Sequence, residues 1–183
     1  DNGYIVLVGE YNSVPPFTSD ILLIKYNSSG DTLWTKIYGG DGNDIGRYVY
    51  QTNDNGFILV GQKSANNDNL NSGYIDMWLI KTDSNGDTLW TNSYGEQGFI
   101  FKGFSVEQTS DDGFIISGEC RSQPCLIKAD SVGILEWKQF YQVEYGNTLL
   151  KSVKEVSTGG YIVIGNHFTG NDWKTVALLT NSS

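Results

Sequence analysis

The sequence predicts an all-β fold, and three observations lead to that prediction: a long internal repeat, a strand-forming composition and regularly placed turns. The segment Leu79 to Trp90 reads LIKTDSNGDTLW, and the segment Leu23 to Trp34 reads LIKYNSSGDTLW. A third copy runs from Leu126 to Trp137, and a fourth begins at Ala177. Self-similarity of this length indicates an architecture assembled from repeated supersecondary units.

The composition agrees with this class. The 183 residues include 11 Tyr, 8 Phe, 5 Trp and 22 Gly but only 3 Pro. Aromatic residues favour strands and glycine favours turns. The net charge of -9 and the lack of clustered cations argue against nucleic acid and anionic membrane surfaces as partners. We expect no membrane insertion either, because no apolar run is long enough to span a bilayer.

Four strand-like runs fill each repeat. Glycines recur about every 50 residues, and each precedes an aromatic residue and an apolar run typical of a strand covered on both faces. We label the predicted strands A to D in chain order. They cover 46–52, 103–109 and 149–156 for A; 4–9, 57–61, 114–118 and 161–165 for B; 21–26, 75–82, 125–129 and 174–180 for C; and 32–38, 88–94 and 134–141 for D. The first B run has one extra residue before its glycine, which predicts a β-bulge.

Short turns connect these runs. The segments 53–56 and 110–113 join A to B, and 83–86 joins C to D. Asn and Asp cap their own backbone and Gly supplies positive φ, so tight antiparallel connections are expected. Four-stranded meanders repeating every ~40–50 residues are typical of propeller blades. We predict about 3.5 blades of a partial β-propeller: strands B to D in 1–40, full blades in 41–95 and 96–142, and strands A to C in 143–183.

A glycine precedes each repeated tryptophan by the same interval, in the pairs Gly30 and Trp34, Gly86 and Trp90, and Gly133 and Trp137. This spacing resembles the tryptophan-docking repeat of quinoprotein-like propellers. The resemblance implies that each indole lies between neighbouring blades. The whole period is also similar to repeats of secreted bacterial proteins, which implies a secreted or cell-surface location. The quinoprotein enzyme activity is not carried over, because its cofactor-binding residues find no counterpart.

The strand count shows how the chain is expected to close. The first repeat lacks strand A and the last repeat lacks strand D. These two missing strands belong to different blades, so the chain does not close neatly into four blades. We therefore interpret the chain as a segment of a larger propeller of about seven or eight blades, the rest lying in a parent chain. A pair of chains and a degenerate four-bladed ring are the alternatives.

Long, variable loops join B to C and D to A, and they are the expected binding surface because variable loops on a rigid frame carry function. Aromatic residues are frequent there, beside Asn and Asp, which suits a glycan or a protein partner. Each ring also has the alternative role of covering the edge of the core. The candidate ligand-binding residues are Tyr11, Phe17, Tyr74, Phe99, Phe168 and Trp173, and the same surface includes Tyr38, Tyr94, Phe101 and Tyr145.

No cofactor is expected. Oxygen-rich segments at 41–44 and 66–69 offer ligands to Ca²⁺ but lack the spacing of an EF-hand, so plain turns are preferred. Cys120 and Cys125 flank a four-residue loop between strands B and C. A disulfide is favoured over two free thiols in a secreted protein, and the pair alone is a poor zinc site.

No catalytic constellation is recognisable. His167 is the only histidine, and no nucleophile motif accompanies it. Glu10, Glu119 and Asp172 are candidates for a glycosidase carboxylate pair, with nothing in the sequence to select among them. The sequence therefore favours a non-catalytic binding or structural module. The alternative is part of a carbohydrate-active hydrolase or lyase whose active site needs further blades.

Overall fold

A computed structural model describes residues 3–11, 18–64, 74–141 and 147–180, with only the backbone described for Tyr11 and Asn147. These residues form 14 strands in four antiparallel sheets. No helix among them is long and apolar enough to cross a membrane. The predicted all-β class and its antiparallel meanders are confirmed.

Each repeat forms its own sheet, and strands consecutive in the chain are neighbours in the sheet. The predicted and observed strands agree to within a few residues. The B strands run beyond the predicted glycine, because their pairing with strand C continues. The strands are β1 (Tyr4–Tyr11), β2 (Ser19–Tyr26) and β3 (Thr32–Tyr38); β4 (Ile45–Gln51), β5 (Phe57–Ser64), β6 (Ile75–Thr82) and β7 (Thr88–Tyr94); β8 (Phe101–Gln108), β9 (Phe114–Cys120), β10 (Gln123–Ala129) and β11 (Leu135–Phe140); and β12 (Asn147–Glu155), β13 (Tyr161–Phe168) and β14 (Trp173–Thr180).

The β-bulge predicted in β1 is wrong, because β1 and β2 pair without a register shift. Tyr4 and Phe57 are equivalent residues, since each is the first residue of its strand B and pairs with the last residue of strand C. Counted from them, Val8 rather than Gly9 occupies the position of Gly61. A Cβ on Gly61 would lie 2.0 Å from the carbonyl oxygen of Ile45 in β4, so that position needs glycine. No described strand pairs with the corresponding edge of β1, and a valine fits there.

Register shifts occur between the C and D strands of the first three sheets, and in the first strand of the second, third and fourth sheets. The register shifts between Gly46 and Tyr48 in β4, between Gly103 and Ser105 in β8, and between Leu150 and Ser152 in β12. Each shift leaves one residue unpaired, and the local twist increases at such a site. The unpaired residues of these first strands are Arg47, Phe104 and Lys151.

The four sheets pack face to face in chain order, and β4, β8 and β12 pack against one another in succession. We call the edge formed by these three strands the converging edge. Alternate residues of β5 face opposite neighbours: Phe57 and Leu59 pack towards the first sheet, and Ile58 and Val60 towards the third. This two-sided burial explains the continuous apolar B runs.

The series of sheets has two outward faces, and both are apolar. Tyr4 and Val6 are exposed on the first sheet, and Ile164 and Leu179 on the fourth, with Leu179 the most exposed at 74%. Within the described strands, the first and fourth sheets share no strand, so the series does not close. The propeller arrangement stays a prediction.

Candidate functional site

The sheets have two dissimilar ends. The turn end carries the tight turns from A to B and from C to D, such as 52–56 and 83–87. The loop end carries the connections from B to C and from D to A, such as 39–44 and 95–100.

At the turn end, each repeated tryptophan contacts the following sheet. The ring centroids are 6.0 Å apart for Trp34 and Phe57, 5.8 Å for Trp90 and Phe114, and 5.9 Å for Trp137 and Tyr161. These edge-on and tilted geometries are favourable for aromatic pairs. The three indoles therefore occupy equivalent positions between successive sheets.

The repeated glycines lie against these indoles. Gly86 has a φ of 78°, and a Cβ there would lie 2.9 Å from the ring of Trp34. Gly133 has a φ of 79° and is in the same position against Trp90. Gly30 has a φ of 89°, and no described atom lies within 4 Å of its Cβ position. Gly86 and Gly133 therefore supply a positive φ and also leave space for the indole of the preceding sheet. Gly30, in the first sheet, supplies only the positive φ.

Tyr38 and Tyr94 belong to the same sheet-to-sheet contacts. Their hydroxyls donate to the carbonyls of Gly86 and Gly133 at 2.7 and 2.8 Å. Burial, reinforced by nearby aspartates, raises the pKa of both phenols. These two tyrosines and the buried Phe101 therefore cover the core rather than offer rings to a ligand.

Buried lysines organise the turns. Lys81 Nζ lies 2.7 Å from Asp54, and Lys128 Nζ lies 2.9 Å from Asp111 and 3.1 Å from Glu136. Burial acts to raise the pKa of Asp54 and Asp111. Hydrogen bonds from lysine, threonine and glycine outweigh it, and the pKa of each falls to about 2. In the second and third copies of the LIK sequence, the lysine is thus a structural ion-pair partner.

The loop end presents the aromatic residues that the sequence predicts as ligand contacts. Tyr74 and Phe99 are 40% and 42% exposed, and a parallel bridge between Ile75 and Ile100 brings their chain segments together. Trp173 is 57% exposed, and its ring centroid is 5.1 Å from that of Phe168. The four described candidates thus lie at two separate places, on the second and third sheets and on the fourth. The Tyr11 side chain, Phe17 and Tyr145 lie outside the described residues.

A charged cluster covers the loop end of the third sheet. Glu96 pairs with both Arg121 and Lys138, and the guanidinium of Arg121 lies 4.6 Å from the centroid of the Phe99 ring. Arg121 and Ser122 have φ values of 54° and 61° in the tight turn between β9 and β10. A disulfide between Cys120 and Cys125 closes this hairpin.

The segment 41–44, considered for Ca²⁺, is hydrogen-bonded within the protein. The Asn43 side-chain oxygen accepts from the Ser19 amide at 3.0 Å, and Asp44 Oδ1 accepts from the Ser64 amide at 3.3 Å. Burial raises the pKa of Asp44, whose Oδ2 has no hydrogen-bond partner in the described part of the chain. The described residues contain no group of three or more metal-binding side chains, and 66–69 lie outside them.

The residues considered for catalysis are dispersed. His167 Nδ1 lies 2.7 Å from the Thr148 hydroxyl across the pair β12 and β13. Glu119 lies 3.7 Å from Lys102, and Glu10 and Asp172 are exposed on the first and fourth sheets. This arrangement gives no support to any particular carboxylate pair.

The structure brings together three residues that the sequence interpretation missed. Arg47, Phe104 and Lys151 are the unpaired bulge residues of the converging edge. Lys151 Nζ lies 4.1 Å from the centroid of the Phe104 ring, and Arg47 Cζ lies 5.7 Å from it. The available signal was weak: Gly46 and Gly103 recur at the same place in strand A, each directly before a bulge residue.

Two of these three side chains carry positive charge. Within the described residues, neither Arg47 nor Lys151 forms an ion pair. Arg47 Nη2 donates to Gln62 Oε1 at 3.1 Å. Lys151 is an exposed residue, but partial burial of its ammonium, followed by the charge of Arg47, lowers its pKa. In a chain with a net charge of -9, this is a local concentration of positive charge.

The overall fold is similar to that of two proteins of known crystal structure. One is a protein of unknown function from Bacteroides caccae, at a TM-score of 0.53 and 12% identity over 99% of this chain and 58% of that one. The other, from Bifidobacterium bifidum s17, is named for a proposed exo-beta-1,3-galactanase activity, at a TM-score of 0.54 and 12% identity over 96% of this chain and 63% of that one. At such identity the likeness shows the fold alone, and the chain spans less than two thirds of either protein. No protein-family model and no curated sequence matches the chain.

Proposed function

We propose that the chain is a β-propeller segment of a secreted or cell-surface bacterial protein, and that it is a non-catalytic module binding a glycan or a protein at its loop end. One observation carries the proposal. The turn end repeats the same tryptophan and glycine contacts from sheet to sheet, while the connecting loops at the loop end differ in length and sequence and expose aromatic rings. Residues devoted to folding repeat, and residues devoted to a ligand vary.

Three features support the propeller itself. Successive sheets are joined by equivalent indole contacts, their first strands converge on one edge, and both outward faces of the series are apolar. Apolar sheet faces are normally covered by another layer. Further blades would cover these two faces, either in a parent chain or in a second copy.

A glycan microarray tests the proposed binding function, with reducing-sugar release measured on every glycan that binds. We expect retention of at least one glycan class without release of product. Retention that depends on Tyr74, Phe99 or Trp173 would support the loop end as the binding surface.

The second candidate function is part of a carbohydrate-active enzyme. The likeness to the Bifidobacterium protein favours it, although that likeness concerns the fold. Release of sugar in the same assay would select this candidate. Binding of no glycan and no surface protein would leave a scaffold role and contradict the proposed module.

A further inference from the structure

We propose that Arg47, Phe104 and Lys151 form a binding site for a saccharide that carries carboxylate groups. The inference rests on the proposed function, since it names the ligand class that a glycan-binding loop end would take. It assigns that ligand to the converging edge rather than to the exposed aromatic residues of the outer loops.

The backbone explains how the three side chains meet. A bulge leaves its extra residue outside the ladder and redirects its side chain. The same bulge occurs near the start of β4, β8 and β12, and these strands pack side by side. Three residues distant in the sequence are thereby presented together, at the loop end where these strands begin.

The charges around the site favour an anion. Arg47 and Lys151 both approach the ring of Phe104, as cations do over an aromatic face. Lys102 adds a third cation, and its partner Glu119, at 3.7 Å, is the carboxylate acting on Lys151. Three positive groups and one negative group leave a net positive site, and partial burial first, then repulsion by Arg47, lowers the pKa of Lys151. A bound carboxylate would relieve that repulsion.

The chemistry of the donors favours a carboxylate. A guanidinium presents a planar pair of donors that matches a carboxylate, and a lysine ammonium adds a mobile point charge. The half-buried Phe104 gives both cations an apolar support. Two cations on one ring do not make the extended track that a nucleic acid backbone needs.

Isothermal titration with a matched pair of ligands tests the proposal: trigalacturonic acid and the same trimer with its carboxylates reduced to primary alcohols. We expect the acid to bind and the reduced trimer to bind at least about tenfold more weakly. Arg47→Gln and Lys151→Gln should each weaken binding of the acid roughly 10- to 100-fold. Lys174→Gln removes one exposed lysine charge from β14 and should leave the affinity unchanged.

A second measurement follows the Lys151 ammonium by NMR, where the acid should raise the lysine pKa and the reduced trimer should not. Both Gln variants alter exposed side chains, and matching unfolding temperatures would exclude misfolding. Equal binding of the two trimers, unchanged affinity in both variants, or failure of the acid to bind the wild type would overturn the site. Inorganic sulfate that competes as strongly as the trimer would overturn the saccharide assignment. A neutral glycan retained on the array would leave the proposed function standing in each of these cases.

Discussion

The turn end and the loop end are formed by the same strands, but they differ in the side chains that they present. At the turn end, Trp90, Gly133 and Tyr94 connect the second and third sheets as Trp34, Gly86 and Tyr38 connect the first and second. At the loop end, glycines such as Gly46 and Gly103 recur, but the lengths of the loops and their exposed aromatic residues differ from sheet to sheet. Under the proposed function, the turn end stabilises the fold and the loop end binds the ligand. Three substitutions at the turn end, each with a control, test the first half of this division.

The largest effect is expected from Trp90→Ala at the turn end. The indole contacts Phe114 and the turn at Gly133, so its removal opens a cavity between two sheets and should destabilise the fold by about 3 kcal/mol. Urea unfolding measures this free energy. Tyr74→Ala at the loop end is the control and should change stability by no more than about 0.5 kcal/mol. Equal losses in the two variants would contradict the division.

A smaller effect is expected from Gly86→Ala, and Gly30→Ala provides a matched control. Both glycines have positive φ, so each alanine should cost about 1 kcal/mol in backbone strain. A Cβ at residue 86 would also press on Trp34, adding about 1–3 kcal/mol, whereas residue 30 has open space. Thermal or urea unfolding of the two variants gives the difference. Identical losses would show that the glycine serves the backbone alone.

The smallest effect concerns the ion pairs of the turns. Asp111 has its pKa lowered from 3.8 to about 2, so its charged form stabilises the fold above pH 4, and this contribution disappears as the pH falls towards 2. Asp111→Asn should therefore reduce stability at pH 6 by less than about 1 kcal/mol, because the carboxylate is largely exposed.

Unfolding in urea at pH 6, 4 and 2.5 follows that change. The difference in the free energy of unfolding between the wild type and Asp111→Asn should become smaller as the pH falls. Asp112→Asn is the control, since Asp112 is an exposed residue of the same turn and forms no ion pair within the described chain. If the difference in the free energy of unfolding is the same at every pH, the charge of the Asp111 carboxylate is not its cause.

Much of the fold follows from local patterns. The repeated Asn, Asp and Gly turns indicate where the strands begin and end, because turn chemistry acts within a few residues. Apolar B runs such as 57–60 indicate burial on both faces, and the structure agrees. The β-bulge predicted before Gly9 shows the limit of local patterns. Whether β1 contains a bulge depends on its register against β2, and one extra residue before the glycine does not reveal that register.

Less of the candidate site could be predicted. Tyr74, Phe99 and Trp173 are exposed at the loop end, but Tyr38 and Tyr94, chosen by the same reasoning, are buried between sheets. An aromatic residue beside a loop has the same local sequence in both situations. Only its position against the next sheet separates them.

The amino-acid sequence by itself determined the repeat, the strands and the tight turns, because these depend on residues close together in the chain. The tertiary structure alone decided that Arg47, Phe104 and Lys151 meet, since each comes from a different sheet. Their meeting depends on three bulges and on the packing of β4, β8 and β12, and neither is encoded within one repeat.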